Sequence, residues 1–322
     1  MSGRIAIAIT GAVVATAFLV LTLVISSAAD PKPRNGVLTV FTGGTRSLDP
    51  SGVGSIVIIG GRERTTIWHC PRMVWCGEPV SFAWAPGGRR VAVTLDEIGG
   101  NSPYVGFHVL NTVSGQDRQI PQDRVGCWPA VGLAWSSDGT RLAYSCSDQT
   151  GKTDRVHLNV LTVQGSRYTT LPTDTDAFWP SWSPTGTRIA YSTQRTPTGM
   201  SEIYTVALDG SHRRLVASGA AAPAWSPDGR TIALQTTCGL RLVTPSGRDV
   251  TPRPMAKWCG PTDSSGPPAW SPDGTKIAIE GTDGAGIRVM DRTGRARHLV
   301  THYAQRSWYG WLPGRPAWRA TS

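Results

Sequence analysis

The stretch PAWSPDGTKIAI, from Pro268 to Ile279, decides the fold of this 322-residue chain. Its first three residues form a short apolar strand. Ser271-Pro272-Asp273-Gly274 is a tight turn: proline presets φ, aspartate bonds its own backbone and glycine supplies a positive φ. The residues that follow alternate and return as a second strand. The same pattern recurs as PAWSPDGRTIAL from Pro223, PSWSPTGTRIAY from Pro180, LAWSSDGTRLAY from Leu133 and FAWAPGGRRVAV from Phe82. A degenerate sixth copy is YGWLPGRPAW from Tyr309. The motif tryptophans therefore stand at 84, 135, 182, 225, 270 and 311. Self-similarity at roughly 40–50 residues is the signature of four-stranded propeller blades.

The rest of each repeat supplies two more strands. Glu202 to Val206 and Gly286 to Met290 read as third strands. Asp209-Gly210 and Thr293-Gly294 turn the chain into a fourth, such as His212 to Val216. Before the first motif there is only part of a blade: Val37 to Phe41, Ser55 to Ile59 and Thr65 to Trp68. An innermost strand from Ser307 to Trp311 would complete it. The expected fold is all-β, a six-bladed propeller of four-stranded blades over residues 37–318, with a tail at 319–322.

The tryptophans recur because a flat ring can fill the wedge between neighbouring sheets, so they read as core. Asp138, Asp228 and Asp273 read as turn formers. Gly87, Thr185 and Gly314 stand in their place elsewhere, a variation that a turn tolerates and a catalyst does not. These repeats, with WSPDG unaltered at Trp225 and Trp270, resemble the WD-like repeat of TolB propellers over Phe82 to Pro313. The resemblance implies fold; it says little about function.

Residues 1–29 read as a targeting segment. Ile5 to Ile25 carries no charge, and about 20 apolar residues span a bilayer. That length favours an uncleaved transmembrane anchor, while Ser27-Ala28-Ala29 offers a signal-peptide cleavage site. Residues 30–36 form a polar linker. Six cysteines in an exported chain point to disulfides, expected as Cys70–Cys76, Cys127–Cys146 and Cys238–Cys259. The domain is therefore expected outside the cytoplasmic membrane, in the cell envelope or secreted. The net charge of +10 comes from scattered arginines without any nucleic-acid-reading motif, so no nucleic acid is expected.

No nucleophile elbow, H-E-x-x-H, P-loop or dinucleotide fingerprint occurs, and the six histidines share no blade position. The sequence reads as a non-catalytic binding scaffold for a protein or peptide. The alternative is a metal-dependent propeller lactonase or lyase. In that reading Glu78, Asp123, Asp174, Asp176 and Asp263, on loops entering the inner strands, would converge on Ca²⁺ through oxygen ligands. Otherwise no cofactor is expected. The same variable loops carry Trp128, Trp179, Trp258, Trp308 and Tyr309, aromatic residues suited to anchoring a partner.

Overall fold

The structure is a computed structural model. It describes residues 38–42, 55–60, 63–69, 78–96, 106–121, 124–125, 130–147, 155–193, 201–236, 239–253, 255, 267–280, 287–295, 298–301 and 317–318. All of them lie in the second of two units, Pro33–Ser322. The targeting segment lies outside the described residues, and no described helix is long and apolar enough to cross a membrane.

The described strands form antiparallel sheets, one per repeat. Sheet 2 comprises β4 (Glu78–Trp84), β5 (Arg90–Asp96), β6 (Gly106–Asn111) and β7 (Asp117–Ile120). Sheet 3 comprises β8 (Ala130–Trp135), β9 (Arg141–Ser147), β10 (Val156–Thr162) and β11 (Arg167–Leu171). Sheet 4 comprises β12 (Phe178–Trp182), β13 (Arg188–Ser192), β14 (Glu202–Ala207) and β15 (Arg214–Ser218). Sheet 5 comprises β16 (Ala221–Trp225), β17 (Ile232–Thr236) and β18 (Gly239–Val243). Sheet 6 comprises β19 (Ala269–Trp270), β20 (Lys276–Glu280), β21 (Ile287–Asp291) and β22 (His298–Thr301).

Sheet 1 joins the two ends of the domain. It comprises β1 (Leu38–Thr42), β2 (Ser55–Gly60) and β3 (Glu63–His69), with β23 (Ala317–Trp318) on the inner side of β1. The register is Leu38 against Trp318 and Thr39 against Ala317. This corrects the expected strand at Ser307–Trp311 and the assignment of the sixth motif to Trp311. The true copy is the Pro-Ala-Trp at 316–318, which repeats the Pro-Ala-Trp of 223–225 and 268–270. Each sheet's first strand touches that of its neighbour, from β4 through β8, β12, β16 and β19 to β23, and β23 touches β4. The chain is an all-β propeller.

Among the described residues, sheet 5 has three strands instead of the expected four. Val250 N–H donates to Leu242 O at 2.8 Å, but Leu242 N–H donates to the Thr251 hydroxyl at 2.9 Å. A side chain thus takes the place of a ladder carbonyl, and Pro252 follows, which has no N–H with which to extend pairing.

Burial follows the repeat. Trp84, Trp135, Trp182 and Trp270 are buried among apolar residues of the second and third strands, such as Leu142, Ile189 and Ile277. Burying one such ring removes 150–250 Å² from water, about 4–6 kcal/mol before entropic costs. The indoles also bond from sheet to sheet. Trp135 donates to Ala83 O at 2.9 Å, Trp182 to Ala134 O at 3.1 Å, Trp270 to Ala224 O at 3.0 Å and Trp318 to Ala269 O at 3.2 Å. Arginines cover the rings: the guanidinium of Arg90 lies 5.0 Å from the Trp135 ring and that of Arg141 lies 4.8 Å from Trp182. The same two donate onward to Gly139 O and Gly186 O in the neighbouring turns. These bonds place the Ser-Pro-Asp-Gly turns of adjacent sheets at one common end, the turn end. The loops entering each first strand lie at the other, the loop end.

One junction breaks the series. Trp225 donates to Gly229 O in its own turn at 3.2 Å. Arg188, the counterpart of Arg141, bonds Thr205 and His212 O instead. Ser181 stands where the other copies have alanine, and its hydroxyl accepts from Trp225 N–H at 2.9 Å.

Candidate functional site

The first strands of sheets 2 to 5 are bulged near the loop end. Their registers shift between Pro79 and Ser81, Val131 and Ala134, Phe178 and Ser181, and Ala221 and Ala224. At the bulges Gly132, Trp179 and Ala222 take positive φ values of 69°, 56° and 48°. Gly132 is required there: a Cβ would meet Pro180 Cδ at 3.1 Å and Trp179 Cα at 3.2 Å. Alanine and above all tryptophan are costly in this conformation, about 1–3 kcal/mol each, and such strain gathers at functional sites. Trp179 is only half-buried, packed against Gly132 of the preceding sheet.

Trp179 is thus the partner-binding candidate that the structure places, on the inner rim of the loop end. Trp128, Trp258, Trp308 and Tyr309 lie outside the described residues. Of the candidate metal-binding carboxylates, the structure places the side chains of Asp174 and Asp176. Asp176 Oδ1 accepts from Val156 N–H at 2.9 Å, capping β10. Asp174 is 89% exposed and lies 3.9 Å from Arg213. Glu78 opens β4, and Asp123 and Asp263 lie outside the described residues. Among the described residues no three His, Cys, Asp or Glu side chains are placed to hold a metal ion.

Beside the rim, between sheets 3 and 4, Arg213 lies 3.6 Å from the Tyr204 ring centroid and donates to the Tyr191 hydroxyl at 2.9 Å. The Tyr204 hydroxyl donates to Glu202. Burial pushes the Tyr191 and Tyr204 phenols up from their ordinary values, so both stay protonated and act as hydrogen-bonding groups. His108 is buried with Nδ1 3.0 Å from both Asp117 oxygens, a satisfied pair inside sheet 2.

The turn aspartates do what their motif demands. Asp138 accepts from Thr140 N–H and from the Ser136 hydroxyl, and Asp228 and Asp273 repeat the arrangement. Cys146 is disulfide-bonded; Cys70, Cys76, Cys127, Cys238 and Cys259 lie outside the described residues. Sequence reasoning missed the bulges, the stacked arginines and the Arg213 cluster. The arginines had a signal: Arg90, Arg141 and Arg188 stand at one fixed offset from the motif tryptophan.

Fold and repeat together define a β-propeller of WSPDG-type sheets. Among solved structures it is similar to TolB from Acinetobacter baumannii, with a TM-score of 0.62 at 16% identity over 88% of this chain. The chain spans 66% of the length of that TolB. A chain of a nidogen/laminin complex is also similar, with a TM-score of 0.60 at 12% identity over 88% of this chain and 99% of its own. Compared by sequence alone, the chain matches no family profile and no curated protein.

Proposed function

We propose that this protein is a non-catalytic, extracytoplasmic propeller that binds a protein or peptide on its loop end. The observation that carries the reading is Trp179, a large aromatic side chain held half-exposed at a strained bulge on the inner rim. Strain of this kind is retained where a group must be presented in one orientation. Full ring closure as six blades completes the proposal, supported by the cyclic touching of first strands. Residues 1–29 tether the domain to the membrane or direct its export. Cys127 is the proposed partner of Cys146, because Ala130, three residues on, pairs with Cys146 across β8 and β9.

Cross-linking in cell envelopes followed by co-purification tests the binding end. The double variant Trp179→Ala, Trp258→Ala loses the captured partner while its circular dichroism is unchanged. Capture that persists in this variant, and is lost when the opposite turns are altered, overturns the proposal.

A further inference from the structure

The loop that delivers Trp179 is fastened on both sides. Residues 172–177 leave β11 of sheet 3 and enter β12 of sheet 4. On the sheet 3 side, Asp176 accepts from Val156 N–H at 2.9 Å and Ala177 N–H donates to Val156 O at 2.9 Å. Arg155 donates to Thr173 O at 3.0 Å, so the loop is tied to the start of β10. On the sheet 4 side, Pro172 lies against Gly210, where a Cβ would run into the proline ring. Arg213, just before β15, donates to the Thr175 hydroxyl at 3.4 Å and lies 3.9 Å from Asp174. Its guanidinium is itself fixed. Nε donates to the hydroxyl of buried Tyr191 at 2.9 Å, and the guanidinium carbon lies 3.6 Å from the Tyr204 ring centroid. The two tyrosine rings stack with centroids 6.0 Å apart. A planar guanidinium seated on such a support presents its remaining N–H groups in one direction, here the loop.

We infer that Arg213 is a positioning residue for Trp179. It locks the entering loop to sheet 4 and so keeps the strained bulge in the conformation that presents the indole. The inference rests on the proposal that Trp179 is the binding anchor. A tryptophan at a φ of 56° stays there only if its surroundings over-determine it. Gly132 packs against the bulge from sheet 3, and the Ser192 hydroxyl donates to Phe178 O at 3.1 Å from within sheet 4. The pinned loop supplies the third restraint, the direction from which the chain arrives. Arg213 acts through that loop and needs no contact with the partner. Released at Thr175, the loop gives Trp179 more than one orientation, and a partner must then order it on binding.

Fluorine NMR of the full-length protein labelled with 5-fluorotryptophan tests this. The signals of Trp179 and Trp270 are identified by their loss in Trp179→Phe and Trp270→Phe. Thr175→Val removes the loop hydroxyl and leaves Arg213 on its tyrosines, while Arg213→Gln removes the clamp itself. In both variants the Trp179 signal moves or broadens, and that of Trp270, in sheet 6, keeps its position. The Trp179 signal returns toward its original position in Arg213→Lys, which keeps the charge beside Tyr204. Hydrogen exchange at Ala177 N–H becomes about tenfold faster in Thr175→Val and Arg213→Gln as the loop opens more often. Capture from cross-linked envelopes of the protein that Trp179→Ala loses falls about tenfold in the same two variants. An unmoved Trp179 signal in Thr175→Val and Arg213→Gln overturns the inference, whatever the melting temperature, and assigns Arg213 to packing. Thr175→Val decides alone if Arg213→Gln does not fold. A displaced Trp179 signal with undiminished capture supports the positioning role and overturns instead the reading of Trp179 as the binding anchor.

Discussion

The indole N–H of Trp318 donates to the carbonyl of Ala269 at 3.2 Å, the bond by which the last described strand is held to sheet 6. Trp318 also pairs through its backbone with Leu38, so one residue joins the domain's first strand to its last complete repeat. Trp318→Ala is expected to lower stability by about 2–4 kcal/mol, measured by urea unfolding. Trp311→Ala, at the position the motif spacing first suggested, is expected to cost less.

Trp182 and Trp225 occupy equivalent positions with different bonds. Trp182→Phe leaves the Ala134 carbonyl without its cross-sheet donor, whereas Trp225→Phe frees a turn carbonyl, Gly229 O. Water reaches a turn more readily than a sheet junction. Trp182→Phe is therefore expected to be more destabilising, by about 1 kcal/mol in matched denaturation curves.

The strain at Trp179 makes a prediction of opposite sign for stability and binding. Trp179→Gly removes a side chain from a φ of 56° and is expected to leave the melting temperature unchanged or higher. Partner capture falls in the same variant. A clear drop in melting temperature would assign Trp179 to packing alone. Gly132→Ala, in contrast, destabilises by about 1–3 kcal/mol, because its φ is 69° and its Cβ would press on Pro180 and Trp179 at 3.1 and 3.2 Å.

Acid sensitivity follows from the turns. The Ser136 hydroxyl and Thr140 N–H hold the Asp138 carboxyl down at about 2. At Asp228, burial raises the pKa, but the Ser226 hydroxyl and Arg292 outweigh it and bring the value to about 2. Both folded values lie below the ordinary 3.8, so the stabilisation is complete above about pH 4 and is lost as pH falls toward 2. Asp138→Asn with Asp228→Asn is expected to flatten the melting temperature across that window, read by a pH series of thermal melts.

Peptide mapping under non-reducing conditions is expected to recover Cys146 linked to Cys127. Reduction then lowers stability by roughly 2–4 kcal/mol. A different partner for Cys146 would overturn the pairing.

The repeat made the sheets legible because each piece of WSPDG has a local cause: Pro, Asp and Gly define the turn whatever surrounds it. The partial blade at 38–69 was legible for the same reason, as alternation bounded by turns. The closing strand differs from the expected one because Trp311 is followed by Leu312-Pro313-Gly314, a turn-like piece at the motif's offset. The pairing of Trp318 with Leu38 and its indole bond to Ala269 distinguish the two, and both join residues far apart in the chain. Sheet 5 was misread because Thr251 bonds through its side chain, which periodicity does not report. Trp179 was legible as an exposed aromatic candidate. Its strain was not, since it arises from the bulge against Gly132 in another repeat.

The pairing of β1 with β23 also sets an order of assembly. Leu38 is among the earliest residues of the domain to be synthesised, yet the inner edge of its strand has no partner until Ala317 and Trp318 have been made. Throughout synthesis, and export if it is threaded, the growing chain carries an open strand edge. Closure comes in a single late step of very high sequence separation, which is slow and leaves the unfinished chain open to mispairing. Loss of the last six residues would therefore act before stability is ever measured, by leaving every newly made molecule unclosed.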